Sequence, residues 1–345
     1  MNRRELFKTA GTLGGGIAVS AIAGPLDPDE TGQLLAALAD PTRNLSEPVI
    51  ALLERHDDAA QRHTRAVPAS VRARRARQQL EVVRRLRPAA SRPDWQGRLA
   101  VLEAQAARLS GRLAANWRQD PRAAAADYRL ALAAAQDAGP HAVTLRAFAL
   151  GGMAFLETRL GDRRAAVRTV TEAEVAGAAS GLRGLRSWLA STAATVHAGV
   201  GARRACDRSL GQAEELFTPF RPGDPAWMDF LSRGFLLEDR AACQLRTGQP
   251  RQALATLDQA ERLLAAHRSG RRAVILGYRA EALVGGGYLT DGCRSAIQAL
   301  EVAGGVGYQR VVHQIRAFRR SGPLRAYRSA ELRELDERLR LVAAQ

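Results

Sequence analysis

Cysteine is scarce in this chain, and its spacing excludes two classes of site. Only three cysteines occur among 345 residues, at positions 206, 243 and 293. They are too few and too widely separated to form a disulfide framework or a cysteine-ligated zinc site. The chain is therefore not predicted to be a small disulfide-stabilised protein or a zinc-binding module.

Aromatic residues are also few. They make up 5% of the chain, whereas 46% of the residues are hydrophobic and much of that fraction is alanine. This composition favours helices that pack closely through small residues over a sheet rich in Val, Ile and Tyr. No stretch alternates apolar and polar residues as a half-buried strand does, so we place no β-sheet. The sequence predicts an all-α fold.

No group of residues has the spacing of a catalytic or metal site. The glycine clusters at 14–16, 285–287 and 304–307 follow no strand and lack the Gly-Lys-Ser/Thr ending of a phosphate loop, so we interpret them as turns and helix ends. His56 and His63 are seven residues apart and have no third ligand with a supporting spacing. We predict a non-catalytic protein with no metal and no cofactor.

Positive charge is concentrated in two segments. The formal net charge is +16, and residues 62–92 hold ten arginines against one acid, while residues 310–328 hold six arginines and no acid. Such density suits phosphates or an acidic partner. Aromatic residues are missing from 62–92, which argues against base stacking, and the alternative is a solvated helix whose arginine stems cover apolar surface. The candidate nucleic-acid contacts are Arg72, Arg74, Arg75, Arg77, Arg84 and Arg85.

The first 24 residues resemble a targeting segment. Arg3 and Arg4, followed by one free position, two apolar residues and Lys8, match the pattern of a twin-arginine export motif. An Ala-Ile-Ala sequence that ends at Ala23 has the form of a cleavage site. The apolar stretch, at about 15 residues, is too short for a stable membrane span. Two hypotheses stay open: export after cleavage near Ala23, or an apolar segment retained in a cytoplasmic protein.

A five-fold repeat organises the rest of the chain. Its spacings are 42, 40, 47 and 43 residues, measured between small core residues. Those residues are Ala124, Ala166, Cys206, Ala253 and Ala296. Four residues later come Tyr128, Val170, Leu210, Leu257 and Leu300. Seven residues later come Ala131, Ala173, Ala213, Ala260 and Ala303.

Positions zero, four and seven share one face of an α-helix. A small residue at zero and at seven, with a large one between them, allows a neighbouring helix to approach closely. A two-helix unit of this length cannot bury its apolar face alone, so the units stack. We predict an α-solenoid of tetratricopeptide-like hairpins over 94–345 with capping helices at its C-terminal end, preceded by a helical subdomain over 25–93.

The repeat also predicts where each hairpin turns. Five residues before the core positions lie Gln119, Gly161, Gly201, Gly248 and Asp291, all compatible with a turn. A helix is predicted over 226–246, directly after the proline-containing loop that ends at Pro225.

Four segments carry a family resemblance, namely 38–50 (LADPTRNLSEPVI), 106–113 (AARLSGRL), 120–124 (DPRAA) and 134–139 (AAQDAG). Together they resemble the C-terminal sensor part of actinobacterial XRE-type regulators, which join a helix-turn-helix domain to tetratricopeptide-like repeats. The resemblance implies a helical-repeat fold and a regulatory role in the cytoplasm. This chain departs from the family in having no helix-turn-helix domain, which counts against sequence-specific DNA binding.

The leading hypothesis is a protein or peptide partner bound on the concave face of the solenoid. The first helices of the hairpins face that side. Six residues on these predicted helices are candidates for partner binding: Arg146, Trp188, Asp229, Arg233, Tyr278 and Arg279.

Overall fold

The computed structural model describes residues 28–62, 69–221, 224–264, 269–306 and 309–343. Within these ranges the regular structure is helical throughout and no strand occurs, which confirms the predicted all-α class. The candidate targeting residues Arg3 and Arg4, and also His63, lie outside the described residues. No helix in the described part of the chain is long and apolar enough to cross a membrane.

Four helices precede the repeats. They are α1 (Pro28–Ala39), α2 (Pro41–Asn44), α3 (Glu47–Arg62) and α4 (Ala69–Leu86). Leucines and valines of α1, α3 and α4 form one apolar cluster, which extends onto the start of the next helix. This N-terminal segment is thereby packed against the first hairpin.

Five helical hairpins follow, and in each the second helix lies against the first. The first helices are α5 (Pro93–Leu113), α7 (Ala142–Leu160), α9 (Arg183–Gly199), α11 (Arg233–Arg246) and α13 (Ser269–Gly285). The second helices are α6 (Pro121–Gln136), α8 (Arg163–Ala179), α10 (Arg203–Leu216), α12 (Pro250–Arg262) and α14 (Leu289–Val306). Helices α15 (Gln309–Arg319), α16 (Gly322–Arg325) and α17 (Ala330–Ala343) complete the chain, and α17 packs on α14 as a cap.

The predicted repeat register is confirmed by burial. All fifteen residues at positions zero, four and seven are at most 6% exposed. The small residues let the paired helices approach, and the large residue at position four fills the groove between them. The hairpins are therefore built as the periodicity of the sequence predicts.

Four of the five predicted turns lie where the repeat places them. Gln119, Gly161, Gly201 and Gly248 all adopt a left-handed conformation, which suits glycine at the end of a helix. The prediction for Asp291 is wrong, because the fifth turn lies at Gly287 and α14 begins one turn earlier than its counterparts.

The predicted start of a helix at residue 226 is also wrong. Ala226–Met228 forms a single 3₁₀ turn, and α11 begins only at Arg233. The helix starts there because the hydroxyl of Ser232 caps it by accepting a hydrogen bond from the backbone N–H of Phe235 at 3.2 Å.

The stack curls until its distant parts meet. The first helices contact one another in succession from α5 to α15 and so line the inner face. Helix α3 contacts the 3₁₀ turn at 226–228, and α15 contacts a π-helical turn at 114–118 that ends α5. These two contacts close the inner face into a central cavity.

Candidate functional site

A cavity of about 200 Å³ lies at the centre of the curled stack. Its walls come from α5, α7, α9, α11 and α13, from the π-helical turn at 114–118 and from the segment at 226–230, with single residues from α3, α6 and α15. It is lined by eight of the seventeen aromatic side chains of the chain, which are Tyr128, Phe148, Phe155, Trp188, Trp227, Phe230, Phe235 and Tyr278. A sequence poor in aromatic residues therefore places nearly half of them around one space.

The aromatic rings form a continuous wall around Phe148. Its ring is stacked on Trp227 with the centroids 4.1 Å apart, and meets the edge of Trp188 at 4.9 Å. Phe230 continues the wall, with an edge contact to Trp188 at 6.1 Å and to Phe235 at 5.3 Å. Both stacked and edge-to-face pairs are favourable for aromatic rings, so the wall is held in place by its own contacts.

Two adjacent glycines of α7 make room for this wall. A Cβ atom on Gly151 would lie 2.6 Å from the Trp188 ring, and one on Gly152 would lie 2.6 Å from the Tyr128 ring. Glycine costs helix stability in the middle of a helix. Here the missing side chains allow Trp188 and Tyr128 to lie directly against the helix backbone.

One part of the cavity is strongly basic. Arg108 and Arg112 lie one turn apart on α5, and Arg108 is only 5% exposed. The Arg108 guanidinium lies over the Phe148 ring at 4.1 Å, and its Nη2 donates to Gln61 Oε1 at 3.0 Å. Burial, together with the neighbouring charge of Arg112, lowers the pKa of Arg108 to about 9. The Nε atoms of both arginines are buried and have no hydrogen-bond partner among the described residues.

A buried carboxylate supports Gln61 from behind. Asp57 is 4% exposed, and its Oδ1 accepts a hydrogen bond from Gln79 at 2.9 Å and a longer one from Gln61 at 3.5 Å. Burial raises the pKa of Asp57 to about 7, against the effects of these hydrogen bonds and of Arg108. The polar chain from Asp57 through Gln61 fixes the position of the Arg108 guanidinium.

The carboxylates of α11 are paired. Glu238 accepts two hydrogen bonds from Arg271, at 2.7 and 2.6 Å, in a bidentate arrangement, and Asp239 accepts one from the Ser191 hydroxyl at 2.6 Å. Burial raises the pKa of Glu238 to about 7, although Arg271 opposes the change, and burial also raises the pKa of Asp239. Arg271 also lies 4.8 Å from the centre of the Phe235 ring.

The six residues predicted to bind a partner fall into two groups. Trp188, Asp229 and Tyr278 line the cavity. The other three lie outside its lining: Arg233 is exposed at the start of α11, Arg146 forms an exposed ion pair with Glu172 at 3.3 Å, and Arg279 contacts Asp258 and Glu261 at 2.7 and 2.8 Å. Nucleic-acid contact through α4 stays a prediction. Arg74, Arg84 and Arg85 are exposed there, Arg72, Arg75 and Arg77 are half-buried, and Arg84 and Arg77 reach Glu103 and Asp127 at 3.8 and 3.9 Å.

Sequence reasoning missed the basic part of the cavity, although a signal for it exists. Residues 106–111 of α5 are all buried, so this helix is enclosed on every side. An arginine within such a run must point into the protein, and Arg108 is that residue. Phe148 and Trp227 carry no comparable signal, since they lie in different hairpins and only the curl of the stack joins them.

Comparison of the chain with protein-family models, with curated proteins and with solved structures gives no match, so its function is argued from the cavity itself.

Proposed function

We propose that this chain is a non-catalytic, tetratricopeptide-like repeat protein that binds a protein or peptide partner as part of a regulatory system. The observation that supports the proposal is the concentration of eight aromatic side chains and four arginines around one cavity on the inner face. Trp, Tyr and Arg are the residues that dominate binding energy at protein interfaces, and an enclosed groove removes them from water on binding. A cavity of about 200 Å³ has room for a single side chain or chain end of such a partner.

The accessible aromatic side chains favour binding over a purely structural role. Trp188, Phe230 and Phe235 are half-buried, although ample apolar surface elsewhere in the stack is fully enclosed. Aromatic rings that remain partly exposed inside a concave surface are typical of a recognition site.

The non-catalytic part of the proposal rests on the pairing of the polar groups. The buried carboxylate of Glu238 is engaged by Arg271, and the half-buried carboxylate of Asp239 is engaged by Ser191. Among the described residues, the cavity lining contains no histidine or cysteine that the carboxylate of Glu238 or Asp239 could activate as a nucleophile. Paired groups of this kind suit the orientation of a ligand better than proton transfer.

We place the protein in the cytoplasm, where the family resemblance implies a regulatory role. The competing hypothesis is export after cleavage near Ala23. Intact-mass measurement of the native protein in each cell fraction separates them, because export requires a mature species that begins at or near Gly24 outside the cytoplasm. Detection of that species would contradict the cytoplasmic placement.

The binding proposal is tested by selecting a random-peptide library on the full-length protein and measuring the affinity of the recovered peptides. We expect Trp188→Ala to weaken their binding at least about tenfold, as the loss of a central aromatic contact does. Tyr288→Ala is the matched control, because it removes an aromatic side chain that is 55% exposed and lies outside the cavity lining. Recovery of no peptide, or of peptides that bind both variants equally well, would refute the proposal.

A further inference from the structure

Arg108 and Arg112 line the cavity together with Tyr128, and neither forms an ion pair with a carboxylate among the described residues. The charges of Arg108, Arg112 and Arg159 all act on the Tyr128 hydroxyl. Arg108 donates only to the neutral side chain of Gln61, and the Nε atoms of Arg108 and Arg112 are buried without an acceptor. This part of the cavity therefore carries an excess of positive charge.

Arg159 lies near these arginines but is exposed and outside the cavity lining. Its guanidinium donates to the backbone carbonyl of Ala115 at 3.1 Å and to the side-chain amides of Asn116 and Gln119 at 3.2 and 2.9 Å. All three acceptors are neutral. Partial desolvation and the nearby charge of Arg310 lower the pKa of Arg159. Arg159 therefore adds positive charge beside this part of the cavity.

Arg271 shows how the same cavity satisfies an arginine when the role is structural. Its guanidinium forms a bidentate ion pair with Glu238, at 2.7 and 2.6 Å. A buried arginine with such a partner is compensated, whereas one without it bears a large desolvation cost. Arg108 and Arg112 both line the cavity one turn apart on α5, and their Nε atoms are buried without an acceptor among the described residues. Their missing partner has the chemistry of an anion.

Apolar surface lies immediately beside these arginines. The Arg108 guanidinium is 4.1 Å from the centre of the Phe148 ring, and that ring is stacked on Trp227. A cavity of about 150 Å³ accommodates benzene. The 200 Å³ found here therefore has space for one ring or branched aliphatic group together with an anionic group attached to it.

We propose that Arg108 and Arg112 bind the carboxylate or phosphate of a compact organic anion, whose apolar part lies against Phe148 and Trp227. The anion is a free small molecule or the C-terminal carboxylate of a peptide that ends in an apolar residue. The peptide form rests on the proposed function above, and the small-molecule form does not. Tyr128 lines the same cavity, and its hydroxyl can serve as a further donor to the anion.

The test is titration of the full-length protein with matched charged and neutral probes, followed by tryptophan fluorescence, to which Trp188 and Trp227 of the cavity contribute, and confirmed by calorimetry. The small probes are phenylacetate, phenyl phosphate and the neutral 2-phenylacetamide. The peptide probes are an acetylated pentapeptide that ends in phenylalanine, as the free acid and as the amide. We expect at least one anion to bind at least about tenfold more tightly than its neutral counterpart, as a direct arginine–anion pair requires.

Arginine variants assign the effect to the site. We expect Arg112→Met to weaken binding of the anion about tenfold or more and to leave the weak binding of the amide unchanged. Arg203→Met is the matched control, because Arg203 is exposed at the start of α10 and lies outside the cavity lining. If Arg112→Met fails to fold, the preference of the wild-type protein for acid over amide still decides the question, and Arg112→Lys is expected to retain part of it.

Each outcome separates this inference from the proposed function. The inference is overturned if the acid and amide probes bind equally well. It is also overturned if the wild-type protein binds no anion at concentrations up to about 10 mM, which corresponds to a binding free energy of roughly 3 kcal/mol. Library peptides that bind with Trp188 dependence but without Arg112 dependence leave the proposed function standing and remove the anion site. Binding of phenylacetate or phenyl phosphate without any peptide binding supports the anion site and removes the peptide partner.

Discussion

The buried carboxyl group of Asp57 allows the stability cost of the polar side chains beneath the cavity to be measured as a change in the free energy of unfolding. The carboxylate is almost fully enclosed, and two glutamine side chains donate to it. The nearest opposing charge, that of Arg108, acts from beyond Gln61. Burial raises the pKa of Asp57 from 3.8 to about 7. The substitution Asp57→Asn keeps the shape and the accepting oxygen and removes the ionisation.

The sign of the effect follows from proton linkage. The carboxyl group loses its proton near pH 4 in the unfolded chain, but only near pH 7 in the folded chain. The folded state therefore binds more protons between these limits, and the contribution of Asp57 to stability falls as the pH rises through this window. A difference of about three pH units, at 1.36 kcal/mol each, corresponds to roughly 4 kcal/mol above pH 7. Relaxation around the charge lowers this value, so we expect about 2–4 kcal/mol.

The assay is urea unfolding followed by circular dichroism at about pH 4, 5.5 and 8, the range over which the two pKa values separate. We expect Asp57→Asn to unfold with the same free energy as the wild-type protein at pH 4 and to be more stable by about 2–4 kcal/mol at pH 8. Glu215→Gln, at an exposed position of α10, is the control and should change the free energy by less than about 0.5 kcal/mol. An Asp57→Asn effect that is the same at every pH would refute the reasoning.

Three further predictions concern stability. Gly152→Ala should lower the free energy of unfolding by about 1–2 kcal/mol, because its Cβ would lie 2.6 Å from the Tyr128 ring. Gly211→Ala, in open space on α10, should instead raise it by about 0.5–1 kcal/mol. Equal effects of the two substitutions in urea unfolding would contradict the close contact between Gly152 and Tyr128. Arg271→Met should raise the pKa of Glu238 above about 7, because Arg271 opposes the effect of burial on that pKa. The loss of stability should therefore be larger at pH 8 than at pH 5 by roughly 1 kcal/mol, since at pH 5 the carboxyl group is protonated in both proteins; a pH-independent loss would argue against that ionisation. Gly248→Ala should cost about 1–2 kcal/mol by thermal unfolding because this residue has a φ of 74°, and a neutral result would mean that the turn relaxes.

The local architecture of this protein was determined by its sequence. The recurrence of a small, a large and a small residue at positions zero, four and seven predicted fifteen buried positions, all of which are enclosed. The glycines at 161, 201 and 248 marked turns that the structure contains. These features are predictable because helix periodicity and turn conformation depend on neighbours within a few residues. Where a local cap competed with the periodicity, as Ser232 does, the predicted start of the helix was wrong.

Only the tertiary structure decided where the cavity lies and what lines it. Tyr128, Phe148, Trp188 and Tyr278 belong to four different hairpins, and no local pattern distinguishes them from ordinary core residues. They meet because small rotations between successive hairpins accumulate into a curl, until α3 reaches the turn at 226–228 and α15 reaches the turn at 114–118. The sequence determined each hairpin through its nearest neighbours, whereas the cavity depends on contacts between residues more than a hundred positions apart.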